Sequence, residues 1–221
     1  MVTRFDFRGL LVVPRFLTHK LIPLLLFVLS TPLNAHVPVL EGKNDSSSEK
    51  PWDIPRPYDK SIAYYGYLEG GDSDVFQFEV TANDLSSGSQ SNTTPNGQQN
   101  PLVIYFGTLV PYCEHYRTYL LELTLRNQTG QILTTVSNTE QGREWYEPYS
   151  RHRYYWQKDI HFPITQPGVY SITLRHPEGR AGDYVFAFGE KEMWGFYDVL
   201  NLIWVYPKLL FKAEIRQPGC G

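Results

Sequence analysis

Two cysteines, two methionines and no apolar run of membrane-spanning length are what this chain has little of. The scarcity of cysteine excludes most zinc chemistry. No CxxC, HExxH or paired-histidine spacing is present to hold a tetrahedral metal. Cys113 and Cys220 allow at most one disulfide, and two readings stand: a bridge closing a loop of about a hundred residues, or a buried Cys113 with a free Cys220 in a Gly-rich tail. Basic charge is also short, with 20 Lys and Arg against 23 Asp and Glu, which argues against nucleic acid as a partner. No serine sits in a Gly-x-Ser-x-Gly elbow and no other catalytic apparatus is recognisable. No enzymatic activity and no cofactor are therefore expected.

The longest apolar run, Leu21 to Leu29, is about half the roughly 20 residues of a membrane span. Arg4, Arg8, Arg15 and Lys20 precede it, and Ser30-Thr31-Pro32-Leu33-Asn34-Ala35 follows, which reads as a secretory signal peptide over residues 1–35. Cleavage would leave His36 as the first residue of a 186-residue mature chain, enough for one domain with a sizeable core. Of the acidic residues only Asp6 is lost with the leader, so the mature net charge is −6. No cysteine at the exit offers a lipid anchor. The expected location is the periplasm, the cell surface or the extracellular space.

Aromatics are abundant, with 16 Tyr, 12 Phe and 5 Trp, and suit half-buried pleated surfaces. Residues 36–60 are rich in Pro, Ser and charge and read as a disordered leader without a core of its own. Strands are predicted at Ile62–Leu68, Val75–Val80, Leu102–Val110, Tyr119–Leu125, Gln131–Val136, Asp159–Ile164, Gly168–Leu174 and Tyr184–Gly189, separated by turn signals. Residues 83–100, nearly all Ser, Asn, Gln, Gly and Thr, read as a flexible loop. The pattern is an all-β, antiparallel, jelly-roll-like sandwich spanning 61–190. Past it, in 191–221, Phe196, Val199, Leu200, Ile203 and Trp204 recur at helical spacing, and Pro207 should end or kink the helix they form. Such a helix either packs on the sandwich or makes a peripheral contact with a membrane surface.

The stretch Tyr65-Gly66-Tyr67-Leu68-Glu69-Gly70-Gly71-Asp72-Ser73-Asp74-Val75-Phe76-Gln77-Phe78-Glu79-Val80 resembles the opening of bacterial pre-peptidase C-terminal domains. Gly168-Val169-Tyr170-Ser171-Ile172-Thr173-Leu174 and Gly182-Asp183-Tyr184-Val185-Phe186 resemble the strands that end them. That resemblance implies a small sandwich that serves secreted proteins as a non-catalytic appendage binding carbohydrate or protein. Residues 83–100 depart from it, because the next strand should follow more directly. Most of the mature chain is also similar to a group of exported prokaryotic proteins marked by Ala35-His36-Val37-Pro38, Glu147-Pro148-Tyr149 and a Gly182-to-Glu192 segment. No function carries over from that group.

Six of the thirteen residues from Glu144 to Trp156 are Trp or Tyr. Trp145, Tyr146, Tyr149, Tyr154, Tyr155 and Trp156, interleaved with Arg151, His152 and Arg153, form a loop that either stacks on sugar rings or a protein partner or folds over one end of the sandwich. The expected function is accordingly a binding module for glycan or protein. The alternative is a periplasmic copper protein. The α-amine and imidazole of a cleaved His36 can chelate Cu(II), with His115, His152, His161 or His176 as a further ligand. Cys113 and His115 would share a face if Val110–Tyr116 were extended. Asp72, Asp74 and Glu69 offer oxygens to calcium, though too few for a full site. Asn44, Asn92 and Asn127 match the glycosylation pattern, which matters only in a eukaryotic host.

Overall fold

Short apolar-polar alternations between Gly- and Asn-rich turns give two packed sheets. A computed structural model describes residues 36–40, 46–87, 101–140, 142–147, 151–211 and 220. The signal-peptide reading of 1–35, and most of the predicted 83–100 loop, lie outside these residues. The strands are β1 (Val37–Leu40), β2 (Trp52–Asp53), β3 (Ile62–Leu68), β4 (Ser73–Val80), β5 (Leu102–Pro111), β6 (Glu122–Asn127), β7 (Ile132–Ser137), β8 (Arg143–Glu147), β9 (His152–Ile164), β10 (Gly168–Arg175) and β11 (Gly182–Phe188). Helix α1 (Ala82–Ser87) follows β4, and α2 (Phe196–Phe211) follows β11. One sheet has the order β1-β3-β11-β5-β9-β8 and the other β2-β4-β10-β6-β7. Pairing is antiparallel except at β1–β3 and β2–β4, so the predicted antiparallel sandwich is mixed at one edge of each sheet.

Those two parallel strands correct the reading of 36–60 as a disordered leader. Ile54 and Tyr58 are buried, and the buried Ser46 donates to Asp74 Oδ1 at 2.9 Å while accepting from the Val75 amide at 2.8 Å. The described residues of the segment, 36–40 and 46–60, gain order by backbone pairing along ready-made sheet edges, which requires neither periodicity nor a core of its own. Within the 83–100 region, α1 is started by a reciprocal cap. Thr81 Oγ1 accepts from the Asp84 amide and Asp84 Oδ2 accepts from the Thr81 amide at 2.7 Å. The β6–β7 hairpin turns at Asn127–Gly130 as predicted, with Asn127 Oδ1 accepting from the amides of Thr129 and Gln131 and Gly130 at φ 79°.

The main core lies between the sheets. Phe76 and Phe186, both fully buried, stack with ring centroids 4.2 Å apart. A tyrosine-rich interior needs partners for its hydroxyls, and the ends of strands supply several of them, though not that of Tyr64. Tyr184 donates to Asp74 at 2.6 Å, Tyr116 to Asp183 at 2.8 Å, Tyr58 to the Glu79 carbonyl at 2.6 Å and Tyr170 to the Gln166 carbonyl at 2.7 Å.

The two sheets differ in how much they bury. β10 alternates, with Tyr170, Ile172 and Leu174 inward, whereas all seven residues of β11 are buried. The second covering comes from α2. Ala63, Ala187 and Gly107 lie in register across three neighbouring strands and form a low row on the outer face. A second apolar cluster there joins Ala63, Ala187, Tyr65, Tyr105, Leu109 and Val185 to Val205 and Leu209 of α2. Lys60 Nζ pairs with Asp198 at 2.7 Å near the start of the helix. Pro207, expected to end or kink the helix, lies inside it, and α2 runs on to Phe211. Among the described residues no helix is long and apolar enough to cross a membrane.

Cys113 and Cys220 form a disulfide, with Cα atoms 5.6 Å apart across a sequence separation of 107. The bridge is the first of the two readings left open by the sequence, and it makes Cys113 unavailable as a metal ligand.

Candidate functional site

The aromatic segment expected to be a loop is a hairpin, β8 paired with β9. Its register sets Arg143 opposite Trp156, Trp145 opposite Tyr154 and Glu147 opposite His152 on one face. Tyr146 and Arg153 fall on the other face with Glu144 and Tyr155. The strand period therefore separates residues that the sequence suggests as one platform. Tyr154 is 1 % exposed and belongs to the cluster beneath α2. Trp145 and Trp156 are half-buried, edge to face at 5.0 Å. Tyr146 is exposed, Arg153 pairs with Glu144 at 2.8 Å, and Arg151 turns the chain at φ 54°. Tyr149 lies outside the described residues.

A bulge brings other groups to Trp156. On β5 Leu109 pairs with Trp156 and Gly107 with Asp159, so Thr108 alone faces both Gln157 and Lys158. The extra residue turns Asp159 to the same face as Trp156, which an unbroken strand would forbid. Asp159 Oδ2 accepts from Trp156 Nε1 at 3.1 Å and from the Tyr105 hydroxyl at 3.1 Å. Burial and this carboxylate push the Tyr105 phenol well above its ordinary range. Gln157 turns inward, accepting from Thr108 Oγ1 and the Leu121 amide and donating to the Tyr119 carbonyl at 2.6 Å. It anchors the bulge to the segment leading into β6.

Arg143 lies over both indoles, its guanidinium carbon 5.4 Å from the Trp156 ring centre and 5.9 Å from that of Trp145. Beside it is a cleft of about 400 Å³ lined by Asn138, Thr139, Arg143, Trp156, Lys158 and Asp159, among others. Gly142 is required at its rim, because a Cβ there would stand 1.7 Å from the Trp156 carbonyl oxygen. Of this group the sequence reading named only Trp156. Arg143 and Asp159 become visible once β8 and β9 are written as a hairpin, but the bulge that aligns Asp159 depends on β5.

The described histidines do not gather. His36 is half-buried, its Nδ1 bonded to the Ser61 hydroxyl and its ring 6.2 Å from that of Trp156. Nδ1 is the atom through which an N-terminal histidine closes a chelate with its own amine. His115 is exposed on a single 3-10 turn at Glu114–Tyr116, so the extended geometry expected around Cys113 is not formed. His161 pairs with Glu190 at 3.0 Å, and His176 Nδ1 accepts from the amides of Glu178 and Arg180. Among the described residues no three His, Cys, Asp or Glu side chains are arranged to hold a metal. Asp74, one of the calcium candidates, is buried and bonded to Ser46 and Tyr184.

Burial lowers the pKa of His36 to about 4 and shifts His176 in the same direction. A folded pKa below the ordinary 6.5 means that the unfolded chain takes up protons first as pH falls. The His36 contribution is complete above pH 6.5 and is lost between 6.5 and about 4. Across that window His36→Gln should lose about 2 kcal/mol less stability than the parent in denaturant titrations. Equal losses would rule out this role for His36.

No protein-family model and no curated protein matches the chain. Several solved structures are similar to it at low identity. The mitogen of Yersinia pseudotuberculosis is 8% identical, covering 63% of this chain and 93% of its own, with a TM-score of 0.34. The pre-peptidase C-terminal domain of a Bacillus anthracis collagenase is 13% identical, with 67% and 98% coverage and a TM-score of 0.33. The Salmonella Typhimurium protein PliG, a periplasmic inhibitor of g-type lysozyme, is 11% identical, with 63% and 97% coverage and a TM-score of 0.32. At a TM-score of 0.33 this likeness carries no assignment for the chain. The sandwich assignment rests on this chain's own strand pairing.

Proposed function

We propose that the chain is an exported, non-catalytic binding module that takes a glycan in the cleft beside Trp156. The observation that carries this reading is the pairing of an indole with fixed polar groups at one polar cleft. Trp156 supplies a ring for the C–H face of a sugar, as aromatic side chains do at saccharide sites. Asp159, held through Oδ2 by two donors, keeps Oδ1 for a ligand hydroxyl. Arg143 and the exposed Thr139 and Lys158 add donors around it. A sugar offers both an apolar face and several hydroxyls, and the cleft matches both.

Screening the protein on an array of purified oligosaccharides, followed by calorimetric titration of the hits, tests the proposal. The expected result is a saccharide bound at sub-millimolar Kd, at least tenfold weaker in Asp159→Ala and Arg143→Ala, with the native far-ultraviolet circular dichroism kept. Binding that survives both substitutions, or an array without hits, would overturn it.

A further inference from the structure

Helix α2 is apolar on two opposite faces. Leu202, Val205 and Leu209 are buried against the six-stranded sheet. Opposite them Phe196, Tyr197, Leu200, Ile203 and Trp204 are 73%, 83%, 41%, 48% and 77% exposed. Five of the nine exposed large hydrophobic side chains of the described residues thus fall within nine consecutive positions. A helix that is apolar all round is normally covered all round.

We infer that a second copy of this chain covers this face, with the two α2 helices antiparallel about a two-fold axis near Leu200. That pairing sets Phe196 against the second copy's Trp204, Tyr197 against its Ile203, and Leu200 against itself, so each apolar side chain meets another. With about 150–250 Å² for an aromatic side chain, the five side chains offer on the order of 600 Å² per copy. A standard interface needs about 800 Å² per partner, and the flanking side chains can supply the difference. Glu190 and Glu192 lead into the helix and Asp198 lies in its first turn, which favours a copy of the same helix over a lipid surface. A membrane-docking helix would carry Lys and Arg beside its apolar stripe, and here the approach to the helix is acidic.

Sedimentation equilibrium on the compact unit Ala35–Gly221 tests the inference. The expected mass at micromolar concentration is that of a dimer. Leu200→Glu, which sets two carboxylates on the axis, should raise the dissociation constant at least tenfold while leaving the far-ultraviolet circular dichroism unchanged. Trp204→Ala should also weaken the dimer, whereas Ile132→Ala, at an exposed apolar side chain of β7, should leave it unchanged. A monomer at all concentrations up to about 100 μM would overturn the proposal, as would a dimer indifferent to the substitutions in α2. Monomers that float with phosphatidylcholine vesicles would overturn it too, assigning the face to a bilayer.

Discussion

Phe186→Ala is expected to lower the unfolding free energy by about 3–5 kcal/mol, the range for emptying a buried aromatic site. The phenyl ring is fully buried and stacks on Phe76 at 4.2 Å, with Tyr64 and Phe188 also ringed around it at 6.1 and 6.3 Å. Its strand is paired on both sides, with β3 and with β5. The backbone therefore cannot collapse into the space, and the cavity term adds to the lost transfer energy. A domain of this size has roughly 5–15 kcal/mol of stability, so the variant should be marginal or unfolded at 37 °C. Guanidinium titration beside the exposed-site control Tyr146→Ala measures the difference. A loss below about 1 kcal/mol for Phe186→Ala would show that this ring is not central to the core.

The joint replacement of Cys113 and Cys220 by serine should cost about 2–4 kcal/mol. The bridge spans 107 residues and encloses every element from β6 to α2. Its chief effect falls on the unfolded chain, which loses the freedom to separate those two points. Both sulfurs also pack at the margin of the main core. Reductant should bring the parent down to the stability of the double variant and leave the variant unchanged. A parent equally stable with and without reductant would refute the contribution.

Much of the fold is legible because β-strand alternation and turn chemistry are local. Val75 to Val80 and Gly168 to Leu174 announce their inward faces, and the Asn127–Gly130 turn announces its hairpin. What the sequence hides depends on partners distant along the chain. β1 and β2 pair by backbone at sheet edges, so Val37–Leu40 and the two residues Trp52–Asp53 need no pattern of their own. β8 is hidden because its hairpin turn carries no Gly, and Arg151 takes the positive φ instead. The site is legible only in part for the same reason. Trp145 and Trp156 stand out by composition, whereas Asp159 reaches the same face through a bulge defined on β5. The periodicity of α2 is plain, but with apolar residues on both sides nothing local says which face meets the sheet.

β11 is the next-to-last element in the chain, yet it occupies the third position of the six-stranded sheet, between β3 and β5. The first strands of that sheet thus have no hydrogen-bonded bridge to the later ones until Phe188 is in place. A chain emerging N-terminus first, from a ribosome or a translocation pore, holds the halves of this sheet apart for nearly its whole length. Their closure is one late, long-range event. During that interval Tyr64, Phe76 and Phe106 lack the strand that covers them, and the molecule is most exposed to aggregation just before its last fifth appears.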